Sequence, residues 1–375
     1  MFVFTFIINL FLFLTISSWA NAITDPLAFP NNKIGVHILF PDELDQASKL
    51  VNNENKGEWG YAVIPIQASD RNRQKWQKFL DACKEKKIIP IIRVATVPEG
   101  SNWAKPDSFD LIDFANFLGD LHWPIQNRYV IIFNEVNRSD EYGGFVSPEN
   151  YADILANASD IFKAVSSDFF ILPAGLDNAA PNAKGYMNHR RYIEKMYLHR
   201  PDIFDKIDGW TSHAYPNPDF SSRPDSWGVN RINSFVYDLR LIHQFSTKKL
   251  PVFITETGWS SKKLSETQIN FYYQYTIKKV WSDERIVTIA PFLLNAQDGP
   301  FTVFSLTKKD GQFYEYAKTL SQEATKGSPI LPSILDVSTP QSTPSSAHIP
   351  AEDGQSKTII QKLIDNITSF FGVYK

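Results

Sequence analysis

A single cysteine, Cys83, in 375 residues leaves no intramolecular disulfide to form. It falls in the helical apolar set Trp76, Phe79, Leu80, Cys83, the setting of a buried core thiol rather than of a catalytic one. HExxH and CxxC spacings are missing and the seven histidines are scattered, so the sequence carries no recognisable metal motif. A basic excess is missing too: 38 Lys and Arg stand against 41 Asp and Glu, with a formal net charge of −3. With no block of like charge either, the footprint of a nucleic-acid or polyanion binder is lacking. A glycine-rich phosphate loop is absent after the first apolar run, IGVHILFPDE, which argues against an open doubly wound nucleotide-binding sheet.

Aromatics, by contrast, are plentiful. Nine Trp, fifteen Tyr and twenty-eight Phe, within a hydrophobic fraction of 43%, exclude global disorder. They serve either an aromatic-rich core or the stacking of apolar sugar faces, and composition alone does not separate the two.

The N-terminal residues Met1 to Leu14 are almost wholly apolar, and Ala20-Asn21-Ala22 fits a small-x-small cleavage site. Residues 1–22 are therefore expected to be a signal peptide, and the protein to be secreted, either free or held at the cell surface. The run lacks Lys and Arg at its start, which keeps an uncleaved anchor as the alternative. It is shorter than the roughly 20 residues of a spanning helix.

From Asn32 to about Gly327 short apolar segments alternate with helical periodicity. The expected strands are Lys33–Phe40, Gly60–Gln67, Ile88–Thr96, Tyr129–Val136, Phe169–Gly175, Gly209–Tyr215, Pro251–Thr257 and Val287–Leu294. Ser147-Pro148-Glu149 and Ser265-Glu266 read as helix starts. Eight strands each followed by a helix predict an α/β fold, a (β/α)₈ TIM barrel over residues 23–327. Residues 328–356 are rich in Pro and Ser and read as a linker. In 357–375, Ile359, Ile360, Leu363, Ile364, Ile367, Phe370 and Phe371 form an amphipathic helical stripe. It either packs on the barrel or meets a membrane surface or a protein partner.

In such a barrel, chemistry sits at the C-terminal ends of the strands. Two acids stand at such ends after apolar runs: Glu135 closes YVIIFNE and Glu256 closes VFITE. A carboxylate there is costly unless the strand has reached the barrel mouth. Either acid alone is equally well a salt-bridged structural group. Two of them, on the fourth and seventh strands, define a pair.

FNE on the fourth strand and ITETGW on the seventh resemble the clan A glycoside hydrolases, the 4/7 superfamily. The resemblance implies that Glu135 is the acid/base and Glu256 the nucleophile of a retaining β-glycosidase, with Asn134 binding the sugar 2-hydroxyl. His213-Ala214-Tyr215 resembles the HxY element of family 5, in which the His lines the site and the Tyr hydrogen-bonds the nucleophile. Arg93, closing IIPIIR, is similar to an Arg that holds the nucleophile ionised. Family 5 or a cellulase-like relative is nearest, with families 39 and 128 as alternatives. The sequence departs from the pattern in two places. NEV replaces NEP, and APFLLNAQDGPFTVFSL on the eighth strand lacks the Trp that floors the sugar site, leaving Phe301, Phe304 or Asn295 to substitute.

Glycosidic cleavage passes through an oxocarbenium-like state in which one carboxyl group protonates the leaving oxygen while the other, ionised, attacks the anomeric carbon. It requires no cofactor or metal. Trp259, three residues beyond Glu256, is the foremost candidate for stacking on sugar, ahead of Trp103, Tyr142 and Trp227; each reads equally as rim packing. Asn137, Asn157 and Asn366 stand in N-x-S/T sequons, and a glycan on Asn137 would crowd the cleft. A catalytically silent carbohydrate-binding barrel is the second reading, although such a barrel usually loses one carboxylate. A surface scaffold acting through its C-terminal helix is the third.

Overall fold

The computed structural model describes residues 23–52, 59–296 and 298–332. The expected signal peptide, the C-terminal helix, most of the linker and the Asn366 sequon lie outside the described residues.

Eight parallel strands form the centre: β1 (Gly35–His37), β2 (Gly60–Gln67), β3 (Ile88–Ala95), β4 (Arg128–Ile132), β5 (Phe169–Pro173), β6 (Trp210–His213), β7 (Val252–Glu256) and β8 (Ile286–Ile289). Each is followed by a helix: α1 (Leu44–Val51), α2 (Arg73–Glu85), α3 (Ser108–Gly119), α4 (Pro148–Val165), α5 (His189–His199), α6 (Ser234–Ile242), α7 (Glu266–Lys279) and α8 (Glu315–Gln322). The architecture is the (β/α)₈ barrel. The expected helix starts are capped as their residues dictate. Ser147 accepts from Asn150 N with Pro148 in the first turn, and Ser265 and Gln268 form a capping box.

All eight expected strands form, and five of them leave the ladder two to five residues earlier than their apolar runs. The residues released at the C-terminal ends build the site. Strand parity sorts the core. Tyr61, Val63, Ile89, Ile91, Tyr129, Ile131, Phe170, Leu172, Phe253 and Val287 fill the barrel interior. The alternate residues, Ala62, Ile64, Ile92, Val130, Ile132, Phe169, Ile171 and Ile254, pack in the layer shared with the helices. Burial on both faces explains why the strands read as continuous apolar runs.

The ladders run as two arcs, β1 to β5 and β6 to β8. Isolated bridges, Ile34 with Ile289 and Asp177 with His213, link the arcs at the two seams. At the β5–β6 seam Asp208 substitutes for a strand. Its backbone N–H donates to Ile171 O (2.9 Å), its Oδ2 accepts from Ile171 N (2.8 Å), and its Oδ1 accepts from Lys163 Nζ (2.7 Å).

The opposite end is sealed by the two ends of the described chain. Thr24 N donates to Asn127 Oδ1 (3.0 Å), Ser328 N to Pro30 O (2.8 Å) and Gln126 N to Ile330 O (2.8 Å). The start of the stretch read as linker is thus tied to the barrel base. A cavity of about 30 Å³ among Tyr61, Ile89, Tyr129 and Asn127 has room for one water and none for a sugar ring.

Asp208→Ala should leave the buried Ile171 N–H without an acceptor and destabilise the fold by about 1–3 kcal/mol, with Asp208→Asn losing less. Urea unfolding of the three proteins measures this; equal midpoints would show that the seam does not depend on Asp208.

Candidate active site

Parity carries Arg93 into the mouth, because it continues the inward series Ile89, Ile91 on β3. On β4 the ladder ends at Ile132 and the chain turns sharply. Phe133 (φ 68°) and Glu135 (φ 32°) both occupy the left-handed region, an uncommon conformation for non-glycine residues that clusters at functional sites. The turn is fixed by Glu135 N donating to Gly175 O (2.9 Å) and Arg138 N donating to Glu135 O (2.8 Å).

On β6 a register shift places His213 opposite Glu256 rather than Thr255. Such an irregularity re-aims a side chain, here the imidazole toward both acids. Gly175 makes room for it, since a Cβ there would lie 2.2 Å from His213 Cδ2.

Glu135 and Glu256 are almost buried, at 8% and 7% exposure. Glu135, His213 and Glu256 each present an atom within 4.8 Å of the other two. His213 Nδ1 lies 2.9 Å from Glu135 Oε1 and 3.7 Å from Glu256 Oε2. Arg93 Nη1 donates to Glu256 Oε1 (3.3 Å) and to Asn134 Oδ1 (2.5 Å), and Tyr215 OH donates to Glu256 Oε2 (3.1 Å). Asn134 Nδ2 donates onward to Glu141 Oε2 (3.3 Å). Six of the seven residues singled out in the sequence, all but Trp259, thus share one cleft.

Electrostatics follow from burial among these charges. Burial, and then the negative charge of Glu256, pushes the Tyr215 phenol well above its usual value, so it stays a donor. Burial alone would lower His213; the carboxylates of Glu256 and Glu135 overcome it and raise the imidazole. Burial, and then Glu135, pushes Asp177 up to about 6, and burial with Asp140 raises Glu141.

Trp259 is a correction. Gly258 (φ 151°) swings the chain outward, and Trp259, 2% exposed, packs between Tyr272, Tyr273 and Trp281 with its indole N–H on Ser222 O (2.8 Å). It has no face left for a sugar. Tyr142 is likewise buried, its hydroxyl on Asn150 Oδ1 (3.1 Å), whereas Trp227 is exposed. The aromatic wall of the mouth comes from Phe292, Tyr215, Phe220 and Phe304, with Phe301 edge-on to Phe292.

Other residues emerge only here. His37, the last residue of β1, lies 3.8 Å from Glu256 Oε1; burial, and then Arg93, lowers it well below the usual value and keeps it neutral. It also ends an apolar strand, the signal that marked the two acids. Phe292 meets His37 edge-on at 5.1 Å. Arg138 reaches Glu135 Oε2 (3.4 Å). Asn137 is fully buried, its side chain donating to Asp177 O and Met187 O and accepting from Asp177 N, so the folded protein offers no site for a glycan there.

Several glycoside hydrolases of known structure share this barrel fold. Among solved structures, a family 39 glycoside hydrolase from Bacteroides cellulosilyticus matches with a TM-score of 0.55 and 14% identity over 80% of this chain, which spans 64% of that protein's length. Thermotoga maritima endoglucanase Cel5A matches at 0.53 and 15% identity over 80% of this chain and 100% of its own. A GH128 endo-β-1,3-glucanase from Pseudomonas viridiflava matches at 0.50 and 14% identity over 77% and 96%. No protein-family model and no curated protein sequence matches the chain. Among the described residues no helix is long and apolar enough to cross a membrane.

Two outcomes follow. His213 has a raised folded value, so the stability it contributes is fully present below the ordinary 6.5 and is lost as pH rises through that raised value. His213→Gln should therefore cost more in Tm at about pH 5.5 than at about pH 9, and equal deficits would contradict a charged imidazole between the acids. Trp259→Ala should destabilise by about 3–5 kcal/mol, the loss of a packed core aromatic. A normal Tm with a raised KM would instead return Trp259 to the substrate.

Proposed function

We propose that this chain is a retaining β-glycosidase that cleaves a β-linked oligo- or polysaccharide by double displacement. The observation that carries this reading is one carboxyl group from the end of β4 and one from the end of β7, meeting within 4.8 Å around His213. Retaining pairs stand about 5–5.5 Å apart, whereas inverting pairs need about 6.5–9.5 Å to admit a water.

Glu256 is the nucleophile. Arg93 and Tyr215 donate to its two oxygens and fix the direction of the carboxyl group. It attacks the anomeric carbon while Glu135 delivers its proton to the leaving oxygen, and the glycosidic C–O bond breaks. Glu135, now a carboxylate, takes a proton from water, which displaces Glu256 from the sugar. Asn134, clamped between Arg93 and Glu141, presents its amide to the sugar beside Glu135.

β-Glucans are the first substrates to try. One Cel5A neighbour was crystallised with cellopentaose, and the GH128 neighbour is an endo-β-1,3-glucanase. Both acids are retained, which favours an enzyme over a silent sugar-binding barrel. The proposal includes export, with residues 1–22 removed.

Glu256→Ala should abolish turnover, and Glu135→Ala should slow it by on the order of 10²–10⁴, with the loss shrinking on substrates whose leaving groups need no proton. Azide should rescue Glu135→Ala with a β-glycosyl azide and Glu256→Ala with an α-azide. Full activity in both variants would make the carboxylates structural.

A further inference from the structure

Arg138 lies three residues beyond Glu135 with a side chain only 3% exposed, and three carboxylates surround it. Nη1 is 3.4 Å from Glu135 Oε2 and 3.9 Å from Asp177 Oδ2, while Nε and Nη2 grip Asp140 at 3.2 and 2.6 Å. Asp140 holds the guanidinium in place through a two-point contact, leaving Nη1 between Glu135 and Asp177. Asp177 accepts from Ala179 N at Oδ1, but its buried Oδ2 accepts no hydrogen bond. Arg138 is the ion-pair partner of that oxygen, and His189 adds positive charge near Asp177.

We propose that Arg138 is a positioning residue that sets how readily Glu135 releases and regains its proton, with Asp177 drawing on the same guanidinium in opposition. The inference rests on the acid/base role given to Glu135 above. An acid/base group must hold a proton in the first step and lack it in the second. A cation committed wholly to Glu135 would favour the carboxylate throughout, and uncompensated anions would favour the acid throughout. A guanidinium divided among Glu135, Asp140 and Asp177 lies between these extremes.

The other groups facing this corner come from every neighbouring element. His213 on β6 touches Glu135, Glu256 faces it from β7, and Arg93 on β3 reaches it through Asn134. Asp140 and Glu141 belong to the same loop as Arg138, and Tyr186 lies under the guanidinium at 5.9 Å. His189, at the start of α5, acts on Asp177. None of these carries a cation onto the Oε2 side of Glu135, which Arg138 alone serves among the described residues.

The test is the pH profile of kcat/KM on a β-glucan oligosaccharide cleaved by the wild-type protein, for Arg138→Gln, Arg138→Lys and Asp177→Asn. The basic limb of that profile reports loss of the acid's proton. Arg138→Gln should move it to higher pH, and Asp177→Asn to lower pH, each by on the order of one unit. Arg138→Lys, which keeps the charge, should return the limb toward wild type, and the acidic limb should stay in place throughout. Opposite displacements are not what a packing defect gives. If Arg138→Gln does not fold, the direction in Asp177→Asn decides. A limb that stays fixed or moves upward in Asp177→Asn overturns the proposal. Slowed turnover in Glu135→Ala alongside such a result would leave the glycosidase reading standing and remove only the role of Arg138, whereas full activity of Glu135→Ala would remove both.

Discussion

Two nearly buried carboxyl groups with atoms within 4.8 Å of each other repel whenever both are ionised, and the rest of the site is arranged around that constraint. Arg93 and Tyr215 relieve Glu256, Arg138 relieves Glu135, and His213 stands between them. Arg93 comes from β3, His213 and Tyr215 from the end of β6 and Arg138 from the loop after β4, so the full set of partners needs three parts of the barrel in place. The left-handed turn at Glu135 and the register shift at His213 are local departures from regular structure that the surrounding packing has to sustain.

The mouth has two unlike walls. One is polar and knitted by backbone hydrogen bonds between loops. Trp103 N donates to Asp140 O, Gly143 N to Trp103 O, Ser139 N to Gly185 O and Met187 N to Asn137 O. The Glu135 side therefore rests on a surface with little freedom to shift. The other wall is aromatic, with Tyr215, Phe220 and Phe304 meeting edge-on or tilted and Phe292, edge-on to Phe301, in the same cluster.

The architecture was legible because strands buried on both faces write themselves as apolar runs, and a carboxylate closing such a run marks the barrel mouth. Glu135 and Glu256 follow that rule, and His37 obeys it equally without standing out, because a histidine after GV lacks the cost that makes a buried acid conspicuous. Trp259 was misread because nearness along the chain does not fix direction. One glycine, Gly258, with φ of 151° sends the indole into the helical layer. Arg138 was hidden inside what reads as a glycosylation sequon, and Asp177 has no local pattern at all. Their significance lies in contacts across three loops that no spacing records.

The described chain enters and leaves the barrel through one face, where Thr24, Pro30, Ser328 and Ile330 fasten onto the base, and the carboxylates open on the other. A tether joined at either end would therefore pull on the face remote from the cleft. A protein hung from a surface in this way would present its mouth outward, and a long polymer could pass across it without meeting the point of attachment.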